Sequence, residues 1–201
     1  FRSNDAWALR CHTATASTGM ALRSATLVRV FASDGTVVLG IDPGLTRCGY
    51  AVLRAEGSTV RPLALGVIRT PTTAELPHRL AELQRELVSL LREFKPHGVA
   101  VEQVFFQTNV RTAMSVGQAS GLALAEAAAA GCDVVQFTPN QVKDSVAGWG
   151  GADKAQVQKM VQARLGLSAP PKPADAADAA ALALAYLAAA PMRRRLQAAQ
   201  R

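Results

Sequence analysis

From Val37 to Ile41 the chain is apolar apart from Gly40, and Asp42-Pro43-Gly44 ends the run. A short apolar run closed by turn residues reads as a buried strand. It delivers a carboxylate, Asp42, at a strand tip, where a rigid backbone holds it over the sheet edge. Tyr50-Ala51-Val52-Leu53 resumes the apolar pattern, and a third run covers about Val60 to Arg69 after the turn Glu56-Gly57-Ser58. Three sequential strands with short turns make an antiparallel meander. Taken alone, Asp-Pro-Gly is equally the signature of a plain hairpin turn. Three further carboxylates at the edges of elements, Glu102, Asp175 and Asp178, weigh against that reading.

Leu76, Leu80, Leu83, Leu87, Leu90, Leu91 and Phe94 recur at helical spacing, so the pattern predicts a helix over about 76–94, stopped by Lys95-Pro96-His97-Gly98. Val99-Ala100-Val101 is then a fourth strand that ends at Glu102. A right-handed crossover lays it parallel beside the first strand, which can bring Glu102 next to Asp42. Phe105 and Phe106 follow in a polar loop, placed either to stack on bases or to plug the core. A helix over about 111–130 is rich in small residues, which suits internal packing and a dimer seam equally well. Asp133 to Phe137 is the fifth strand, and Thr138-Pro139-Asn140-Gln141 opens a helix with a capping box.

That helix carries Lys143 and ends near Gly148-Trp149-Gly150-Gly151; the next carries Lys154 and Lys159 and stops at Gly166. Two lysines flanking a glycine-rich loop suit phosphate contacts, although a solvated surface is the commoner fate of a lysine. The last helix, about Ala174 to Ala190, opens with Asp175-Ala176-Ala177-Asp178. Positions i and i+3 share one helix face, and the helix dipole favours acids there; ordinary acidic capping explains one of them well and two less well. Residues 1–35, rich in Arg, Ser, Thr and Ala, hold only Asp5 and Asp34 as acids. They read as an N-terminal extension, either a disordered basic arm or a translated upstream region, with a loose likeness to a transit peptide. Residues 191–201, with Arg193-Arg194-Arg195, read as a basic C-terminal tail.

The net charge is +7 and the pI near 9.9, which favours a polyanionic partner, nucleic acid first. Apolar residues make up 49% of the chain, enough for one sizeable core, but no run nears the ~18 residues of a membrane span. Cys11, Cys48 and Cys132 show no paired or zinc-type spacing, and His12, His78 and His97 are isolated. The thiols read as free, in a reducing, cytoplasmic compartment, and any metal falls to the carboxylates, which suit magnesium or manganese. Four acids crowded together repel one another. Two divalent ions about 4 Å apart remove that cost and are the known device for in-line attack on a phosphodiester. Basic charge, lysines and acids thus agree on a nuclease.

Leu39-Gly40-Ile41-Asp42-Pro43-Gly44, Val101-Glu102-Gln103-Val104-Phe105, Gln141-Val142-Lys143, Ala152-Asp153-Lys154-Ala155-Gln156-Val157 and Ala174-Asp175-Ala176-Ala177-Asp178-Ala179 closely resemble the motifs of the crossover junction endodeoxyribonuclease RuvC family, in its order and spacing. The resemblance covers residues 36–190. It implies an α/β, RNase H-like fold: a five-stranded mixed sheet with helices on both faces. It implies a homodimer that resolves Holliday junctions, four-way DNA junctions, by symmetric paired nicks, leaving 5′-phosphate and 3′-hydroxyl ends. Asp42, Glu102, Asp175 and Asp178 would be the catalytic, metal-binding acids, for two Mg2+ ions, with Mn2+ as substitute. Asp42 would be shared by both ions, Glu102 completing one site and Asp175 with Asp178 the other. Lys143 and Lys154 match junction-binding lysines that support catalysis, and Phe105 an aromatic that stacks on a junction base. RuvA and RuvB, a branch-migration complex, come with the family as partners.

Two rivals bear comparison. Asp42-x-Gly44-x-Thr46 also resembles the first phosphate loop of actin-like kinases and ATPases, but these need two duplicated domains, and no second such loop appears. A related RNase H-like nuclease acting on RNA or another branched nucleic acid would carry the same acids.

Overall fold

The computed structural model describes residues 35–104 and 110–199. The elements run β1 (Thr36–Asp42), β2 (Arg47–Glu56), β3 (Thr59–Arg69), α1 (Leu76–Phe94), β4 (Gly98–Glu102), α2 (Val110–Ala129), β5 (Asp133–Phe137), α3 (Pro139–Ala147), α4 (Lys154–Arg164) and α5 (Ala174–Ala199). The strands form one sheet in the order β3-β2-β1-β4-β5. β1, β2 and β3 make the antiparallel meander, and α1 carries the chain across to β4, which lies parallel to β1 with β5 parallel outside it. This is the mixed five-stranded sheet of an RNase H-like fold.

Strand side chains alternate between faces, so β1 and β4 divide their residues between two cores. Leu39, Ile41, Val99 and Val101 pack with Leu83, Leu87 and Leu91 of α1 and Ala119, Ala123 and Ala127 of α2. On the other face, Val38 and Ala100 pack with Val142 and Val146 of α3, Val157 and Val161 of α4, and the alanine-rich run of α5. Helices therefore cover both faces. α3 and α4 each begin with a complete capping box, Thr138 with Gln141 and Asp153 with Gln156.

α5 is the helix that matters most for the site, and glycines set its depth. A Cβ on Gly40 would collide with the Ala179 carbonyl, and one on Gly49 with the Asp175 carbonyl. The missing side chains on β1 and β2 let α5 lie almost on the sheet backbone, and its own alanines complete the fit. The far end is tied as well. Tyr186 Oη donates to Asp133 Oδ2 at 2.6 Å, and Arg193 Nη2 to Asp133 Oδ1 at 2.7 Å, with the guanidinium 5.3 Å over the Tyr186 ring. These ties explain a difference from the sequence pattern. The helix does not end near Ala190 but passes through Pro191 to Ala199. Arg193 anchors the turn beyond the proline to the start of β5. Among the described residues no helix is long and apolar enough to cross a membrane.

Candidate active site

The alternation that buries Leu39 and Ile41 on one face turns Val38, Gly40 and Asp42 toward α5. β4 repeats the pattern with Ala100 and Glu102. Ile41 pairs with Val101 in the parallel register, so Asp42 and Glu102 leave the sheet side by side at neighbouring strand ends. α5 starts directly above them because of the close approach at Gly49 and Gly40. One cleft of about 320 Å³ results, whose lining includes Asp42, Glu102, Asp178, Lys143 and Lys154. Val142, Val157 and Leu182 add apolar surface to its lining. Residues scattered over the sequence thus converge on one opening.

The electrostatics of the cleft follow from burial. Asp42 is desolvated and faces Glu102, Asp178 and Asp175, and together these push its carboxyl up to about 7. Burial, then the Asp178 charge, raises Glu102 as well, against a hydrogen bond from Asp42. The two strand-tip acids therefore sit close enough to share a proton. A proton neutralises one charge of this group; a divalent cation would neutralise more and accept the oxygens directly. The donor set is all oxygen, with neither thiol nor imidazole in the lining, and so fits a hard cation such as magnesium or manganese.

The two helix-start acids go separate ways. Asp178 opens on the cleft and accepts from Lys154 Nζ at 2.7 Å, a contact that holds the ammonium pKa above its ordinary value. Asp175, on the β2 side, does not line the cleft. It is gripped by Arg47, whose Nε lies 3.4 Å from Oδ1 and 3.2 Å from Oδ2 and whose Nη2 also donates to Oδ2. That hydrogen bonding lowers the Asp175 pKa. Among the described residues, accordingly, no group of three His, Cys, Asp or Glu side chains stands ready as an ion cage. Two of the acids are already engaged by basic side chains. Lys143 lines the same cleft. Phe105 and Phe106 lie outside the described residues.

The sequence reading passed over Arg47 and the support behind it. Thr70, buried between β3 and α1, donates through Oγ1 to the Leu45 carbonyl at 2.5 Å and receives Arg79 Nε at 2.9 Å. Arg79 Nη2 reaches Thr46 Oγ1 at 2.7 Å, and the Thr70 amide donates to the Thr46 carbonyl at 3.3 Å. These bonds fix the turn after Asp42 and, with it, the start of β2 that carries Arg47. An Arg one turn after a strand-tip Asp is the only local signal for this, since its partner lies 128 residues away. Trp149, in the glycine loop joining α3 to α4, is 55% exposed, unusual for so large a ring.

A family model described as RuvC, crossover junction endodeoxyribonuclease RuvC, matches residues 38–186. Among curated relatives, a crossover junction endodeoxyribonuclease RuvC of Streptomyces avermitilis is 53% identical over 163 residues, 80% of this chain and 92% of its own length. The namesake of Syntrophomonas wolfei is 49% identical over 150 residues, 75% of this chain and 87% of its own. Among solved structures, Thermus thermophilus RuvC in complex with Holliday junction substrate superposes with a TM-score of 0.75 at 38% identity, covering 78% of this chain and 96% of that one.

Proposed function

The chain belongs to the crossover junction endodeoxyribonuclease RuvC family, and from that premise we propose that it resolves Holliday junctions as a divalent-metal-dependent endonuclease. The observation that carries the reading to particular residues is the cleft in which Asp42, Glu102 and Asp178 meet with Lys143 and Lys154 on its walls. Acids that repel one another and bases that face phosphate, gathered in one opening, suit a phosphodiester held against cations. Asp42, Glu102 and Asp178 would hold divalent ions, magnesium with manganese as substitute and two per site, with Asp175 completing the set. When bound, such ions supply Lewis-acid stabilisation of charge on a phosphodiester under in-line attack.

The chain's own groups have distinct tasks. Asp42 gives up its proton as the site loads, and Glu102, its neighbour on β4, fixes the orientation of the pair. Lys154 and Lys143 direct the scissile phosphate into the cleft and oppose the charge that builds up on it. Phe105 takes the base-stacking role its motif position suggests. The domain boundaries follow the same reading: residues 36–190 form the nuclease domain and 1–35 an extension, while 191–199, expected as part of a basic tail over 191–201, continue α5 and are tied back through Arg193. A four-way junction is two-fold symmetric, so paired nicks call for a homodimer with two fixed sites. RuvA and RuvB are the partners to expect, in the cytoplasm.

The test uses the purified protein with a synthetic four-way junction, a linear duplex of the same sequence and an RNA–DNA hybrid, each with magnesium and with EDTA. Paired, ligatable nicks in the junction alone, dependent on magnesium, are expected. Preferential cleavage of the hybrid would move the chain to the RNA-cutting alternative.

A further inference from the structure

The four acids do not form one set in the folded protein. Asp42, Glu102 and Asp178 face the cleft, while Asp175 is turned toward Arg47. We propose that Arg47 is a built-in counter-ion that holds Asp175 out of the carboxylate cleft, and that a divalent cation must displace it to recruit the fourth acid. The inference rests on the metal-site reading above.

Several observations converge on it. The guanidinium reaches both Asp175 oxygens, so its fork covers the lone pairs a cation would use. Arg47 and a cation thus compete for the same atoms. Arg47 is not free to drift, because it begins β2 in register with Arg69, and the turn before it is pinned through Thr46, Thr70 and Arg79. The pair is nevertheless open to water, with side chains 42% and 25% exposed. Exposed ion pairs are weak and exchangeable, so this one can set a threshold without blocking the site. Asp175 is also near enough to act on Asp42, since its charge helps raise the Asp42 pKa. A turn of its side chain away from Arg47 would bring a fourth oxygen ligand to the rim of the cleft. Lys154 does not duplicate this arrangement, because it engages Asp178 from within the cleft itself.

Arg47 is therefore a positioning residue, and removing its charge should make the DNA-free protein a better cation binder. The experiment titrates Mn2+ into the full chain without DNA, reading free Mn2+ by electron paramagnetic resonance at fixed pH and ionic strength. Wild type, Arg47→Gln, Arg47→Lys and Asp42→Asn are compared. Arg47→Gln is expected to bind Mn2+ about threefold to fivefold more tightly, the range an exposed ion pair supports. Arg47→Lys, which keeps the charge and loses the fork, should fall between it and wild type. Equal or weaker binding by Arg47→Gln overturns the proposal and makes Arg47 a support for the ligand instead. Uptake by Asp42→Asn equal to wild type, or none by wild type, would instead sink the carboxylate site itself, and the proposal with it.

Discussion

Burial, and then the charges of Glu102, Asp178 and Asp175, lift the Asp42 carboxyl up to about 7, against roughly 4 for a free aspartate. Between those values the folded, cation-free protein keeps a proton that the unfolded chain releases. The group therefore favours the folded state fully below about pH 4, and that contribution is lost as pH rises through 7. In EDTA, the melting temperature of wild type relative to Asp42→Asn should fall from pH 5 to pH 8, and saturating magnesium should reverse the fall. A difference that grows with pH in EDTA would contradict the placement of Asp42. The two lysines make a separate expectation. Ala at Lys143 or Lys154 should cut the single-turnover rate at least about tenfold, ~1.4 kcal/mol of barrier, while junction affinity in calcium drops only a few-fold. Unchanged rates in both variants would return these side chains to plain solvated lysines. At this scale the sequence was most informative where a residue's position in the cleft follows from its place on an element. Strand-tip Asp42 and Glu102 and helix-start Asp178 were all legible in that way. Arg47 was not, because its place after Asp42 is a weak signal and its partner in the first turn of α5 lies 128 residues away. For the same reason Asp175 was expected beside Asp178, whereas Arg47 draws it aside.

Among the elements, α5 decides whether the site exists, and its height over the sheet rests on backbone contact at Gly40 and Gly49. Gly40→Ala places a methyl against the Ala179 carbonyl, a clash that no rotamer change relieves. It should cost at least about 2 kcal/mol and lower cleavage beyond that loss, because Asp175 and Asp178 ride on the displaced helix. Gly117→Ala is the matched control: it lies in α2 with nothing within 4 Å of the added methyl, and should stabilise by about 0.5–1 kcal/mol. Urea denaturation of both variants reads the contrast, and equal effects would show that α5 does not depend on the glycine. The complement of same-face glycines with an alanine-rich helix could have been seen in the sequence once the strands were placed. The meander, the crossover helix α1 and the capping box of α3 were read correctly, since each is written in local periodicity or turn chemistry; the box of α4, Asp153 with Gln156, has the same local chemistry and was passed over. The far end of α5 was not, because the proline rule is local whereas the Arg193–Asp133 tie that carries the helix past Pro191 is tertiary.

For the whole molecule, the sheet order follows from few rules: short turns pair β1 with β2 and β2 with β3, and a right-handed crossover sets β4 beside β1. That topology alone brings Asp42 and Glu102 to one edge, which is why so much of the site could be anticipated. Assembly is a different matter, because a symmetric partner surface has no signature of its own in one chain. Helix α2, on the side that its core-packed Ala119, Ala123 and Ala127 leave uncovered, remains the proposed part of the seam, and sedimentation should find a dimer at micromolar concentration. A monomer that cuts junctions with normal pairing of nicks would exclude that assembly. The claim on which everything else depends is that the Asp42-centred cleft cuts four-way junctions. Its most direct measurement is single-turnover cleavage of a synthetic junction in magnesium by wild type and Asp42→Asn, beside their binding to the same junction in calcium. The account predicts paired nicks by wild type and no cleavage by Asp42→Asn, which should bind as well or more tightly, because the lost negative charge faces phosphates. Cleavage by Asp42→Asn at near the wild-type rate would contradict it.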